Sequence, residues 1–218
     1  MERKTYNAYV FYFDIVDVVE DFIKSPDVLE RLAEFQRSVR QYPLGIGQMW
    51  STVITLADNV WARINSNELI ADQVILKLAT RTMVLAYEHG FKKYYGVCTS
   101  GPHIYYDIDK SISLGLDPTH LLSQHIDTTS EPQIRAAISE KWSAKLSKEK
   151  RLPCDSPCVW VSEEVANYEK LRVASKACEF NIIGGTFNLN DLPIDSGRKK
   201  WPFPNNSKFT AIVPNDAS

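Results

Sequence analysis

A strongly apolar strand that ends in an acid constrains this chain more than any other feature. Residues 9 to 13 are all aromatic or β-branched, and Asp14 follows them directly. Such a run is typical of a strand whose two faces are both buried. A carboxylate beside an apolar core is costly unless a charged group compensates it. Asp14 therefore indicates a site for a cation, although an acid in a turn that faces water would give the same pattern.

A second acid lies at the turn of a predicted hairpin. Residues 49 to 56 and 60 to 64 are both typical of strands, and Asp58 lies between them. Carboxylates at the rims of two strands are suitable ligands for a divalent cation, which would in turn bind a substrate that carries phosphates. Asp14 and Asp58 are therefore the predicted metal ligands.

Composition limits the class of protein. The chain has 218 residues, of which 44% are hydrophobic and 24% charged, so it can form one domain with a sizeable core. A net charge of −2 argues against a protein that binds nucleic acid through a general basic field. No apolar run approaches the roughly 20 residues that span a bilayer, and residues 1 to 4 lack the core of a signal peptide. We expect a cytoplasmic protein with no membrane partner.

The order of predicted elements indicates an α+β fold. Strands are predicted at 6–14, 49–56, 60–64, 93–98 and 103–106, the last two around a turn at Ser100-Gly101-Pro102, and helices at 16–24, 26–43 and 69–89. Ser25 and Pro26 are predicted to start the second helix. This order is that of a ferredoxin-like βαββαβ sandwich with helices on one face. There the first strand lies beside the hairpin, so the strand ends that carry the two acids can approach each other.

The second half of the chain is less regular. Helices are predicted from Asp117 and through Ile134 to Leu146, followed by short strands at 158–161 and 208–213. The Gly184-Gly185 pair and residues 199–204 are typical of loops. We expect residues 1–150 to form the catalytic core and residues 151–218 to be a C-terminal extension that packs on the same domain.

Three segments together resemble the class III nucleotidyl cyclases. They are Phe13-Asp14-Ile15, Thr55-Leu56-Ala57-Asp58 and Tyr95-Gly96-Val97-Cys98-Thr99-Ser100-Gly101-Pro102. They resemble the first metal motif, the second metal motif and the later strand and turn of that family, and the likeness extends over roughly residues 6–127. Among these enzymes the short chain is most similar to the bacterial pyrimidine cyclases of Pycsar anti-phage systems. Those enzymes make cyclic UMP or cyclic CMP for a separate effector protein.

The resemblance implies a chemistry and a site. The ribose 3′-hydroxyl of a nucleoside triphosphate attacks the α-phosphorus, and pyrophosphate leaves. Two Mg²⁺ or Mn²⁺ ions would bridge Asp14 and Asp58, helped by the carbonyl of Ile15. Backbone N–H groups at the following helix start would hold the phosphates; they belong to Val16, Asp17, Val18 and Val19. The family builds each site across two subunits, which implies a homodimer.

Several positions depart from the purine-specific members of the family. Ile54 and Ile112 stand where adenine-specific cyclases carry a Lys and an Asp, which favours UTP or CTP as substrate. Trp50, Thr52 or Thr55 would then contact the smaller base. Thr119 and Ser123 stand where the transition-state Asn and Arg are usual, and Arg135 or the Arg198-Lys199-Lys200 cluster are candidate replacements. Asp17 stands where the family usually has Gly.

Two other functions fit the same residues. A cyclase-like fold that has lost turnover would act as a nucleotide-binding or protein-interaction module, because the usual transition-state donors are absent. An unrelated ferredoxin-like binding protein would require Asp14 and Asp58 to be ordinary turn acids. A donor close to the α-phosphate would distinguish the enzyme from the first alternative.

Overall fold

A computed structural model describes residues 3–41, 50–56, 58–65, 71–106, 132, 134–137, 157–188 and 208–215. The strands in these ranges are β1 (Arg3–Ile15), β2 (Trp50–Leu56), β3 (Asn59–Asn65), β4 (Tyr94–Tyr106), β5 (Cys158–Ser162), β6 (Phe180–Asn188) and β7 (Lys208–Pro214). The helices are α1 (Val18–Lys24), α2 (Val28–Gln41), α3 (Ala71–Glu88) and α4 (Tyr168–Cys178). Residues 132 and 134–137 are also helical. None of the described helices is long and apolar enough to cross a membrane.

All seven strands belong to one sheet, in the order β2-β3-β1-β4-β5-β7-β6. Neighbouring strands are antiparallel except β4 and β5, which are parallel. The first four strands have the order β2-β3-β1-β4, which is that of the predicted βαββαβ sandwich. The predicted α+β fold class is therefore confirmed, and β1 lies between the hairpin and β4.

Both faces of β1 are buried, as its composition predicts. Phe11, Phe13 and Ile15 belong to the main core, which includes side chains of α2 and α3. On the opposite face, Ala8 and Val10 pack with Ala136 of the 134–137 helical stretch. Two covered faces explain why the strand has an almost continuous apolar run instead of alternating polar and apolar residues.

Aromatic side chains connect the sheet to α2. The rings of Phe13 and Tyr94 are stacked with centroids 5.0 Å apart, and Phe13 lies 6.2 Å from Phe35 of α2. The buried face of α2 consists of Val28, Leu32, Phe35 and Val39 at helical spacing. These contacts fix the layer of helices against the half of the sheet that carries Asp14.

The predicted start of the second helix is wrong. Ser25 ends α1 instead, because its N–H donates to the Asp21 carbonyl at 2.9 Å and its backbone is extended. The Ser25 hydroxyl forms a hydrogen bond with the Asp27 carboxylate, and α2 begins at Val28. The serine and proline therefore form the connection between two helices.

The predicted turn between residues 98 and 103 is also wrong, because β4 is one continuous strand of 13 residues. Gly101 and Pro102 pair with Ala8 and Asn7 of β1. On its other edge β4 pairs with β5 only from Tyr95 to Cys98. Beyond Cys98 no described strand occupies that edge, so a proline without an N–H does not interrupt a ladder there.

The described part of the C-terminal segment extends the same sheet. The strands predicted at 158–161 and 208–213 are confirmed as β5 and β7. Gly184 and Gly185 lie within β6 and not in a loop, at a register shift between Ile183 and Phe187. The helix α4 was not predicted, although Asn167 caps it by accepting a hydrogen bond from the Lys170 N–H at 3.0 Å. The boundary at 150–151, the helix from Asp117 and residues 199–204 lie outside the described residues.

Two glycines allow a direct test of the packing between β1, β4 and β5. A Cβ atom at Gly96 would lie 2.8 Å from Val159 Cγ2 and 3.2 Å from Phe13 Cδ2. Gly96→Ala should therefore lower the free energy of unfolding by about 1–3 kcal/mol, because the core must move to accept the methyl group. Gly185→Ala is the matched control, since nothing lies within 4 Å of a Cβ there. Equal midpoints for both variants in urea unfolding would contradict this packing.

Candidate active site

The structure brings the two predicted acids to the same end of the sheet. Asp14 is the penultimate residue of β1 and pairs with Asn59, the first residue of β3. The N–H of Ile15 donates to the carbonyl of Asp58 at 3.1 Å. The turn that carries Asp58 is therefore hydrogen-bonded to the strand end that carries Asp14.

The two carboxylates influence each other electrostatically. Burial, and then the negative charge of Asp58, raise the pKa of Asp14 to about 6. No Lys or Arg in the described ranges forms an ion pair with Asp14 or Asp58. The site thus concentrates negative charge in a partly buried place, which a bound cation would neutralise.

A short chain of hydrogen bonds orients Asp58. The Asn59 Nδ2 donates to Asp58 Oδ1 at 2.7 Å, and the Tyr12 hydroxyl donates to Asn59 Oδ1 at 2.7 Å. Neither Tyr12 nor Asn59 is among the predicted site residues. One signal was present, because Tyr12 precedes Asp14 by two residues and so lies on the same face of β1.

The chemistry of the donors fits a hard divalent cation. Two carboxylates and the Ile15 carbonyl offer only oxygen atoms, which Mg²⁺ and Mn²⁺ prefer. The side chain of Ile15 is buried in the core, so only its backbone can contribute. The residues in the described ranges contain no group of three or more His, Cys, Asp or Glu side chains suited to a metal. Carbonyl, water and phosphate oxygens would suit the other positions around an ion at Asp14 and Asp58.

The predicted phosphate-binding backbone is only partly available. The Val16 N–H donates to the Lys93 carbonyl at 3.0 Å, which continues the contact between the ends of β1 and β4. This N–H is therefore engaged within the protein, and its predicted role is corrected. Val18 and Val19 begin α1, where N–H groups have no partner within the helix.

Asp17 takes the left-handed backbone conformation that glycine usually provides. Its φ is 66°, and Asp is among the residues that tolerate this region. Its carboxylate lies 2.9 Å from the Lys93 Nζ, so the third acid of this region has a cationic partner. That ion pair reduces the repulsion that Asp17 would otherwise exert on an anionic ligand.

Two of the remaining predicted site residues lie on β2, which β3 separates from β1. Trp50 and Ile54 pair with Asn65 and Trp61 of β3. Ile54 thus lies in the register row of Tyr12, two residues along β1 from Asp14, and Trp50 lies in the row of Ala8, six residues from Asp14. Ile112, Thr119, Ser123 and Arg198-Lys199-Lys200 lie outside the described residues.

Arg135 lies over a different part of the sheet from the acids. Its neighbour Ala136 packs on Ala8 and Val10, and Val10 is about 13 Å along β1 from Asp14 at the usual rise per residue. The Arg135 side chain is 13% exposed, and its Nη1 lies 3.4 Å from Glu164 Oε1. The structure therefore does not place Arg135 beside the two acids of its own subunit.

Comparison with known proteins supports the fold. No protein-family model matches the chain. No curated protein matches it either. Among solved structures, the adenylyl cyclase CyaB from P. aeruginosa is similar with a TM-score of 0.54 and 10% identity, over 98% of this chain and 96% of that one. The chain has the fold of a nucleotidyl cyclase. At this identity the likeness shows the fold alone.

Two further structures are similar at lower scores. A bacterial light-regulated adenylyl cyclase has a TM-score of 0.49 and 12% identity, over 99% of this chain and 53% of that one. The adenylate/guanylate cyclase/hydrolase from Silicibacter pomeroyi has a TM-score of 0.43 and 13% identity, over 99% of both chains. These scores are too low to support an argument about the site.

The raised pKa of Asp14 predicts a specific pH dependence of stability. In the unfolded chain this carboxyl has its ordinary pKa near 3.8, so it ionises at a lower pH than in the folded protein. From about pH 4 to about pH 6 the free energy of unfolding of the metal-free protein should fall as pH rises, and the loss is complete above pH 6. The side chain of Asp14→Asn stays neutral, so this variant should not show the fall in the free energy of unfolding. It should therefore be more stable than the unchanged protein at neutral pH.

The measurement is urea unfolding in a chelating buffer across that pH range, for both proteins. Asp27→Asn is the control with the opposite sign. The hydrogen bond from the Ser25 hydroxyl is the main cause that lowers the pKa of Asp27. The ionised Asp27 carboxylate therefore stabilises the fold, and its contribution to the free energy of unfolding increases as pH rises. Identical pH profiles for the original protein and Asp14→Asn would contradict the electrostatic coupling described here.

Proposed function

We propose that this protein is a metal-dependent nucleotidyl cyclase, which converts a nucleoside triphosphate into a 3′,5′-cyclic nucleotide and pyrophosphate. One observation carries the proposal. Asp14 and Asp58 meet at the end of β1, where the pKa of Asp14 is raised to about 6. The fold shared with the adenylyl cyclase CyaB supports it.

Each residue of the site has a role in this chemistry. A bound Mg²⁺ or Mn²⁺ pair would lower the pKa of the ribose 3′-hydroxyl and neutralise the charge of the triphosphate. Asp14 and Asp58 would hold the ions with their carboxylates, and Ile15 would contribute its carbonyl. The 3′-hydroxyl gives its proton to solvent water and its oxygen forms a bond to the α-phosphorus, while the bond from that phosphorus to the pyrophosphate oxygen breaks and pyrophosphate leaves.

The N–H groups of Val18 and Val19 support the triphosphate in this proposal, since they open α1 next to Asp14. Lys93 holds Asp17 away from the phosphates through their ion pair of 2.9 Å. The predicted role of Asp17 is thus limited to its backbone.

For the substrate we propose a pyrimidine nucleoside triphosphate, UTP or CTP. Ile54 and Ile112 offer no hydrogen-bond partner for adenine. Leaving the polar edge of adenine unpaired would weaken the binding of ATP relative to UTP or CTP. Ile54 lies on β2 in the row of Tyr12, two residues along β1 from Asp14. Thr119 belongs to the same proposed substrate site, whereas Trp50 is left out of it, because its register row lies at Ala8, six residues from Asp14. The resemblance to Pycsar enzymes supports a cytoplasmic homodimer. Its product would be cyclic UMP or cyclic CMP, a second messenger of anti-phage defence that a separate effector protein binds.

One observation favours the alternative of a cyclase-like protein without turnover. Arg135 is a candidate transition-state donor, but it pairs with Glu164 at 3.4 Å, and its neighbour Ala136 packs on Val10 and not at the acids. A nucleotide-binding or protein-interaction module needs no such donor. Product formation is therefore the deciding measurement.

The first test supplies each of the four nucleoside triphosphates with Mn²⁺ and identifies any cyclic product by mass spectrometry. Asp14→Ala and Asp58→Ala should each lose at least about 100-fold in rate, because removal of a metal ligand withdraws several kcal/mol of transition-state stabilisation. Asp27→Ala, which removes an exposed carboxylate on another part of the surface, should retain activity. Nucleotide binding without any cyclic product would favour the alternative.

The second test concerns the base. UTP or CTP should be cyclised at least about tenfold faster than ATP, because two isoleucines leave the adenine edge unpaired. Ile54→Lys should shift the preference toward ATP, whereas Ile54→Leu, which keeps an apolar side chain, should not. Faster cyclisation of ATP by the unchanged protein would refute pyrimidine selectivity while leaving the cyclase proposal intact.

A further inference from the structure

The hydrogen bonds around Asp58 form a directed chain that begins on the neighbouring strand. Tyr12 is opposite Trp61 in the register of β1 and β3, yet its hydroxyl reaches diagonally to Asn59, which precedes Trp61 by two residues and begins β3. Asn59 then donates from Nδ2 to Asp58 Oδ1. Both bonds are 2.7 Å long, so three side chains from two strands and the hairpin turn form one unit.

The direction of this chain follows from its chemistry. A carboxylate accepts hydrogen bonds only, so the amide must present its NH₂ group to Asp58. Its oxygen then faces Tyr12 and accepts the phenolic proton. Without the Tyr12 hydroxyl, the hydrogen bond that holds the oxygen of the Asn59 amide is lost. The amide could then rotate and place its oxygen against the Asp58 carboxylate.

The chain also determines which part of Asp58 faces a ligand. Asn59 occupies Oδ1 with a charge-assisted hydrogen bond, which is stronger than a bond between neutral groups. This hydrogen bond fixes the plane of the carboxylate in advance and leaves Oδ2 as the oxygen with both lone pairs available to an ion. Partners that orient a ligating carboxylate in this way commonly determine the affinity of the site for its ion.

We propose that Tyr12 and Asn59 are positioning residues that hold Asp58 for a divalent cation, and that Tyr12 acts only through Asn59. This inference rests on the proposed metal-dependent function. Tyr12 lies on the same face of β1 as Asp14. Its hydroxyl group would therefore affect how tightly the ion binds, although Tyr12 is not itself a ligand.

The test measures Mn²⁺ affinity of the full chain without nucleotide, by the loss of the electron paramagnetic resonance signal of free Mn²⁺. Tyr12→Phe should weaken Mn²⁺ binding about 10-fold or more, as expected for loss of an outer-shell partner. Tyr9→Phe is the matched control, because Tyr9 lies on the opposite face of the same strand against the main core. A purely structural role for Tyr12 would lower the melting temperature without a selective change in Mn²⁺ affinity.

A double-mutant cycle tests the route. Asn59→Leu removes both hydrogen bonds, so it should weaken Mn²⁺ binding at least as much as Tyr12→Phe. Because Tyr12 acts only through Asn59, adding Tyr12→Phe to Asn59→Leu should produce no further loss. Additive losses would overturn the proposed route, because Tyr12 would then act on the ion independently of Asn59.

Variants of the acids separate failure of this inference from failure of the proposed function. If Asp14→Ala and Asp58→Ala abolish Mn²⁺ binding while Tyr12→Phe behaves like Tyr9→Phe, only the positioning role is overturned. If the unchanged protein does not bind Mn²⁺, or the acid variants bind it normally, the metal site and this inference both fail. In an active enzyme, Tyr12→Phe should raise the Mn²⁺ concentration needed for half-maximal rate and leave KM for the nucleotide unchanged.

Discussion

The backbone pairing of β1 is the constraint on which the rest of the structure depends. This strand pairs with β4 over all 13 of its residues and with β3 from Ala8 to Asp14. Its two edges and its two faces are covered, so the strand can neither slide nor rotate without breaking both ladders and both cores. Asp14 is held at the end of this fixed element, and the cost of its charge cannot be avoided by moving it into water.

The order of elements could be predicted because it depends on local patterns. Apolar spacing and turn composition identified β1, the hairpin and α3, and their sequence order was sufficient for the topology. The errors came where a local signal has a different meaning in context. Gly101-Pro102 and Gly184-Gly185 are typical of turns, but each pair lies within a strand. Gly101-Pro102 is tolerated because no described strand occupies that edge of β4. Gly184-Gly185 is tolerated because it lies at a bulge of β6.

The candidate site was predicted in part for the same reason. Asp14 and Asp58 could be found because an acid at a strand end is visible in the sequence. The spacing of Tyr12 from Asp14 indicates a shared face of β1, but its hydrogen bond with Asn59 depends on the register between two strands, which no local pattern specifies. Arg135 could be named as a candidate but not placed, because a helical stretch can pack over any part of a sheet, and its position follows from the contact of Ala136 with Val10.

Among the described strands only β4 and β5 pair in parallel, and this pairing determines how the chain can be shortened. The three C-terminal strands reach the centre of the sheet only through β4, along Tyr95 to Cys98. A chain that stopped before β5 would leave those backbone groups facing water beside the buried Val97. An open edge of this kind is a template for pairing with another copy. Strands β5, β6 and β7 therefore cover the edge of β4, so that the half of the sheet that carries the acids does not aggregate through that edge.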